Sequence, residues 1–244
     1  MSLSTEQIAE NWQEFRTRID KYFPERAAKI QRMYDDLEDR ALVAPASGVN
    51  HYHNAFDGGY IDHVLRVMDC TTKVYTNWGE LGASLEGFTL EELLFAAMHH
   101  DLGKLGFPGE GNQVYIPNDS EWHRKNQGKM YKINPNNPFA LVPDLSLWLL
   151  QNYDIPVTWN EHLAIRIHDG LYDDANKSYY ISRGPDSKFH NNMAMILHQA
   201  DYIAARIEYE VWRDSDKPNV AKKPRADKPS ISANKLFEDL FGND

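Results

Sequence analysis

Leu93-Leu94-Phe95-Ala96-Ala97-Met98-His99-His100-Asp101-Leu102-Gly103-Lys104 is an apolar run that ends on two imidazoles, a carboxylate and an ammonium. Leu93, Leu94, Ala97, His100 and Asp101 recur at the three- and four-residue intervals of one helical face. That face puts polar groups where the pattern calls for burial. Burying a carboxylate is costly unless it is paired or binds a metal. The adjacent imidazole supplies a second ligand, and Gly103 ends the helix where the chain must turn away. The stretch reads as a metal site at the carboxyl end of a buried helix.

Working outward, Thr89-Leu90-Glu91-Glu92 has the spacing of a capping box and starts this helix. The same spacing in Ser4 to Gln7 and Thr158 to Glu161 starts two others. The first carries Ile8, Trp12, Phe15 and Ile19, and Pro24 suits the first turn of a second helix with Ile30, Met33, Tyr34 and Leu37. Residues 1–48 are thus expected to form a helical hairpin lying on the main body. Gly58-Gly59 then leads into a helix with Ile61, Val64, Leu65, Val67, Met68 and Val74, and His63 lies in its first turn.

Beyond Lys104, about 40 residues rich in Gly, Pro and Asn lack periodicity, as lids and pocket walls do. They carry His123, Arg124, Lys125, Lys129 and Lys132 beside Tyr115, Trp122 and Tyr131. Cations next to rings suit an anionic ligand that contains a ring. Asp144 to Tyr153 is expected to be helical, and a short helix from Thr158 ends at Ile167-His168-Asp169-Gly170. A small hairpin is expected around Tyr179-Tyr180-Ile181. Asn191 to Trp212 forms a long helix with Leu197, Ala200, Ala204, Ile207 and Val211 on one face, and Asp201 lies among them. A carboxylate inside an apolar stripe needs a cation. Residues 213–232 read as a polar, solvated linker, and Leu236, Phe237, Leu240 and Phe241 as a short amphipathic helix. That helix would dock on its own body or on a second subunit in a homo-oligomer.

Composition narrows the class. A chain of 244 residues, 42% hydrophobic and 25% charged, is long enough to bury a substantial core. No run of about 18 apolar residues is present, so no membrane-spanning helix is expected. The N-terminus lacks the basic and apolar regions of a signal peptide. One cysteine, Cys70, fits a reducing compartment, so a cytoplasmic protein is expected. A net charge of −10 argues against strong nucleic-acid binding. A small anionic substrate is compatible with it, because bound divalent metals reverse the local sign.

Gly58-Gly59-Tyr60-Ile61-Asp62-His63, His99-His100-Asp101-Leu102-Gly103-Lys104 and Leu197-His198-Gln199-Ala200-Asp201 together resemble the HD-domain superfamily of metal-dependent phosphohydrolases. The resemblance covers residues 50–212. It implies an all-α, HD-domain-like helical bundle over residues 49–212, with long irregular active-site loops. It also implies metal ligands at His63, His100, Asp101 and Asp201. Many members hold a second ion through two further histidines between the His-Asp pair and the last Asp. His123 and His168 are the candidates here, with His162 and His190 as spares. Such a set suits one or two ions of Mn, Fe, Co, Ni, Zn or Mg.

The implied reaction is hydrolysis of a phosphate ester, with a nucleotide or cyclic nucleotide as the favoured substrate. Lys104 would offer a cation to a non-bridging phosphate oxygen. Arg66, Arg124 and Lys125 would hold further phosphates. Two other readings share the ligands. Some HD proteins use a di-iron pair to cleave C–C or C–P bonds with O₂, and an HD scaffold can also bind a nucleotide as a signal.

Overall fold

The computed structural model describes residues 2–50, 52–181, 184 and 189–215. The fold is all-α. Its helices are α1 (Thr5–Tyr22), α2 (Ala27–Asp36), α3 (Glu38–Ala41), α4 (Gly59–Glu80), α5 (Leu90–His99), α6 (Glu121–Gln127), α7 (Val142–Asn152), α8 (Trp159–Arg166), α9 (Lys177–Ile181) and α10 (Met193–Ser215). Among the described residues the one sheet is an antiparallel ribbon of β1 (Tyr115–Pro117) and β2 (Tyr131–Ile133), with Ile116 opposite Lys132. No described helix is long and apolar enough to cross a membrane.

Every residue of α5 from Leu93 to His99 is buried. A helix apolar on all sides must be surrounded, and α1, α4, α8 and α10 pack around it. Phe15, Ile19, Phe23, Ile30, Met33 and Tyr34 of the N-terminal hairpin belong to the same continuous core as Leu93 and Phe95. All three capping boxes form, at Ser4, Thr89 and Thr158.

The first turns of two of these helices meet at one arginine. Arg26 donates through Nη2 to Glu91 Oε1 and through Nη1 to Glu161 Oε2, each at 3.0 Å. Its guanidinium also lies 3.8 Å from the centroid of Phe95. Glu161 is fully buried, so the pairing offsets a charge that would otherwise be costly to bury. The first turns of α5 and α8 are thereby tied together.

The opposite end of α5 is fixed by α7. The Gly103 N–H donates to Ser146 Oγ at 2.8 Å, and that hydroxyl faces the carbonyls of His100 and Val142. A Cβ on Gly103 would overlap the Val142 carbonyl oxygen. Gly103→Ala is therefore expected to destabilise the fold by about 1–3 kcal/mol, the usual cost of overpacking. Urea denaturation of the metal-free protein would measure the loss.

The structure corrects several local expectations. Tyr179-Tyr180-Ile181 is in α9, not a hairpin: among the described residues no strand lies beside it, and the Tyr180 hydroxyl donates to the Ile167 carbonyl. Pro24 precedes α2, in the turn closed by the Arg26 N–H on the Phe23 carbonyl. Ile207 and Val211 are 37% and 42% exposed rather than core, because the buried face of α10 runs from Ala200 through Ala204 to Glu208 and leaves Ile203, Ile207 and Val211 on the adjoining face. The segment after Lys104 contains α6 and the β1–β2 ribbon. Arg213 belongs to α10. So do Asp214 and Ser215; linker residues 216–232 and the segment Leu236 to Phe241 lie outside the described residues.

Candidate metal centre

Four helices deliver imidazoles and carboxylates to one buried point. His63 comes from the start of α4, where Gly58 takes the left-handed conformation (φ 80°) and Gly59 abuts the Asn54 carbonyl too closely for a Cβ. His100 and Asp101 follow α5 directly. His168 follows α8 in the same way, and Asp201 projects from α10.

His63 Nε2 lies 3.2 Å from Asp201 Oδ1 and 3.6 Å from Asp101 Oδ2. His100 Nε2 lies 3.4 Å from Asp101 Oδ2 and 3.8 Å from Asp201 Oδ1. On the other side, His168 Nε2 lies 3.7 Å from Asp101 Oδ1. Metal–ligand bonds of about 2.0–2.2 Å set neighbouring ligand atoms about 3–4 Å apart, which is the observed spacing. The Nε2 atoms of His63 and His100 are buried without a hydrogen bond, the condition expected of lone pairs aimed at a cation. These buried groups could hold a metal ion, as two overlapping sets: His63, His100 and Asp101, and His100, His168 and Asp201.

The opposite ring nitrogens are all engaged. His100 Nδ1–H donates to the Ala97 carbonyl and His168 Nδ1–H to the Ile165 carbonyl, each at 2.8 Å. Both bonds run back three residues to a carbonyl that a helix end leaves unpaired. One device thus fixes the tautomer at both helix ends and turns Nε2 inward. His63 Nδ1–H instead points at the Glu208 carboxylate, 3.2 and 3.1 Å from its two oxygens. Arg66 Nε–H donates to that same carboxylate at 3.1 Å. Outer partners of this kind typically contribute about 10–100-fold to metal affinity. Glu208→Gln is accordingly expected to weaken metal binding about 10-fold with the helical content retained, as chelator competition would measure.

Charge at the centre is balanced only through these contacts. Burial alone would lower the His63 imidazole, but the Glu208 and Asp201 carboxylates raise it to about 10. His100 is likewise raised against burial by Asp101. Burial would raise Asp101, yet Lys104 and His100 hold it well below the usual carboxylate range. Without metal the site therefore keeps a proton on His63, and a divalent cation would displace it.

Comparison with protein-family models, with curated proteins and with solved structures finds no match.

The other residues singled out by the sequence fall as follows. Lys104 Nζ sits 2.5 Å from Asp101 Oδ2, and that carboxylate keeps it charged against burial. Arg66 braces Glu208 and also approaches Asp62 at 3.5 Å. Arg124 donates to the Asn118 carbonyl within its own loop. Lys125 is exposed and paired with Glu121. His123 lies on α6 with its ring against Trp122, outside both ligand sets, as do His162, stacked on Trp159, and the exposed His190.

Two neighbours of the centre carried no assignment from the sequence. Glu208 stands seven residues after Asp201, two helical turns along the same face, so its spacing was the available signal. His53 packs its ring 4.7 Å from that of His63, and its Nε2 is buried without a partner. Burial, then the nearby His63 and Lys104, hold its imidazole well below its ordinary value. His53 lies in a loop, where no periodicity marks which side chains turn inward. His99, by contrast, faces Phe23, Tyr34 and Phe95 and is a core residue.

Proposed function

We propose that the chain is a metal-dependent phosphohydrolase of the HD-domain superfamily, acting on a small phosphate ester such as a nucleotide. The observation that carries this reading is the pair of buried, unbonded Nε2 atoms of His63 and His100 facing the carboxylates of Asp101 and Asp201. A divalent metal held there would lower the pKa of water from about 15.7 toward about 7 and draw charge from the phosphoryl oxygens.

The residues of the chain do the rest. His63, His100, Asp101 and Asp201 are the first ligand set, and His168 with the second oxygen of Asp101 would hold a second ion. Arg66 and Glu208 keep His63 in the productive tautomer. Lys104 is placed to meet a non-bridging phosphate oxygen while it remains paired with Asp101.

The test is metal analysis of the purified protein together with hydrolysis of a panel of nucleoside mono-, tri- and cyclic phosphates in Mn²⁺, Co²⁺ or Mg²⁺. Metal-dependent phosphate-ester cleavage is expected. Dioxygen consumption by iron-loaded protein without such cleavage would replace the hydrolase with an oxygenase, and ligand binding without turnover would leave a regulatory module.

His168→Ala separates one-ion from two-ion versions of the site. Bound metal is expected to fall by about one equivalent in a two-ion site, with the His63 set still loaded. Unchanged metal content with reduced turnover would instead give His168 a role toward substrate.

A further inference from the structure

The centre does not lie at the end of a pocket but between two of them. On one side a cavity of about 470 Å³ reaches Asp201 and His53 and is walled by Tyr172, Tyr202, Tyr209 and Arg206. On the other a cavity of about 450 Å³ reaches Lys104 and is walled by Tyr115, Tyr131, Lys129 and Lys132. Tyr52 and His53 line both, so the two cavities flank these residues beside the cluster, one at Asp201 and the other at Lys104. Lys104, Tyr115 and Tyr131 also line a further space of about 640 Å³.

Each flanking cavity is by itself in the range of roughly 300–1,000 Å³ that holds a small organic ligand. A phosphate monoester needs only one, since it carries a single organic group. Two cavities flanking the cluster, one at Asp201 and one at Lys104, suit a phosphorus substituted on both sides. Resting on the hydrolase reading above, we infer that the substrate is a small phosphodiester joining two ring-bearing groups, of the dinucleoside monophosphate class. One ring stacks in the cleft of Tyr202 and Tyr209. The other lies against Tyr115 and Tyr131, where Lys104, Lys129 and Lys132 line the wall, Lys104 paired with Asp101 and Lys132 with Asp119. The acidic surface of the chain as a whole, with a net charge of −10, keeps long nucleic acids from being the substrate.

The step balances with water alone. A water oxygen bonds to phosphorus, the P–O bond to one organic group breaks, and the proton lost by the water ends on the departing alkoxide. The products are one phosphate monoester and one alcohol.

Two readouts test the inference separately from the hydrolase reading. Turnover of bis(p-nitrophenyl) phosphate and of p-nitrophenyl phosphate by Mn²⁺-loaded protein compares diester with monoester, and kcat/KM is expected to favour the diester at least 10-fold. Calorimetry on the same loaded protein compares a phosphorothioate-linked diadenosine with adenosine 5′-thiomonophosphate, and tighter binding of the diadenosine by about 10-fold or more is expected. Tyr202→Ala and Tyr131→Ala, one in each cavity, should each weaken diadenosine binding about 10-fold, within what one base–aromatic stack contributes. The mononucleotide should respond to only one of them. A monoester turned over or bound as well as the diester, or a diadenosine indifferent to either variant, would overturn the inference while leaving a hydrolase in place. The expected binding pattern with no turnover of any ester would remove the hydrolase reading and leave the two-sided groove standing.

Discussion

Asp101→Ala is expected to abolish both metal retention and turnover while the helical fold persists. Asp101 is the one carboxylate in the cluster with an oxygen toward each side: Oδ2 faces His63 and His100, and Oδ1 faces His168. Its removal also strips the partner from Lys104, whose charge Asp101 maintains against burial, and takes away the carboxylate that raises His100. Metal analysis of the folded variant and its phosphate-ester hydrolysis are the measurements. Stoichiometric metal in folded Asp101→Ala protein would refute the site.

Lys104→Ala is expected to lower kcat/KM by about 10²–10³-fold, the loss typical of one preorganised donor to a transition state. Bound metal should be retained, because an ammonium is not a ligand and its removal frees an oxygen of Asp101. Lys104→Arg should not restore activity: the planar guanidinium does not fit where a compact ammonium lies 2.5 Å from a buried carboxylate. Wild-type kinetics in Lys104→Ala would confine this lysine to a structural pairing with Asp101.

The framework was legible because its signals are local. Capping boxes at Ser4, Thr89 and Thr158 announce helix starts, and the interrupted apolar face around His100 announces a ligand before any partner is known. His63, His168 and Asp201 were reachable because each lies next to a helix boundary or within an apolar stripe. His53 was not, since an inward-facing loop residue leaves no periodic trace. His123 shows the opposite failure. Order along the chain made it a second-ion candidate, but α6 places its ring on Trp122. Arg124 and Lys125 show that a cation in a promising loop can be taken up locally, by the Asn118 carbonyl in one case and Glu121 in the other. The lysines that do line the space near the centre, Lys129 and Lys132, stand only a few residues further on.

Arg26 joins the first turns of α5 and α8, and each of these helices hands over a ligand just past its last turn. They therefore act as rulers, anchored at a common origin and read at their far ends. Inserting one residue between Thr89 and His100, or between Thr158 and His168, would advance the terminal imidazole by about 1.5 Å and swing it by about 100° around the helix axis. Length in these two segments thus matters to the geometry of the cluster as much as the identity of the imidazoles does. Sequences that descend from a common ancestor with this chain should conserve both spacings and concentrate their insertions and deletions between Gly106 and Leu141.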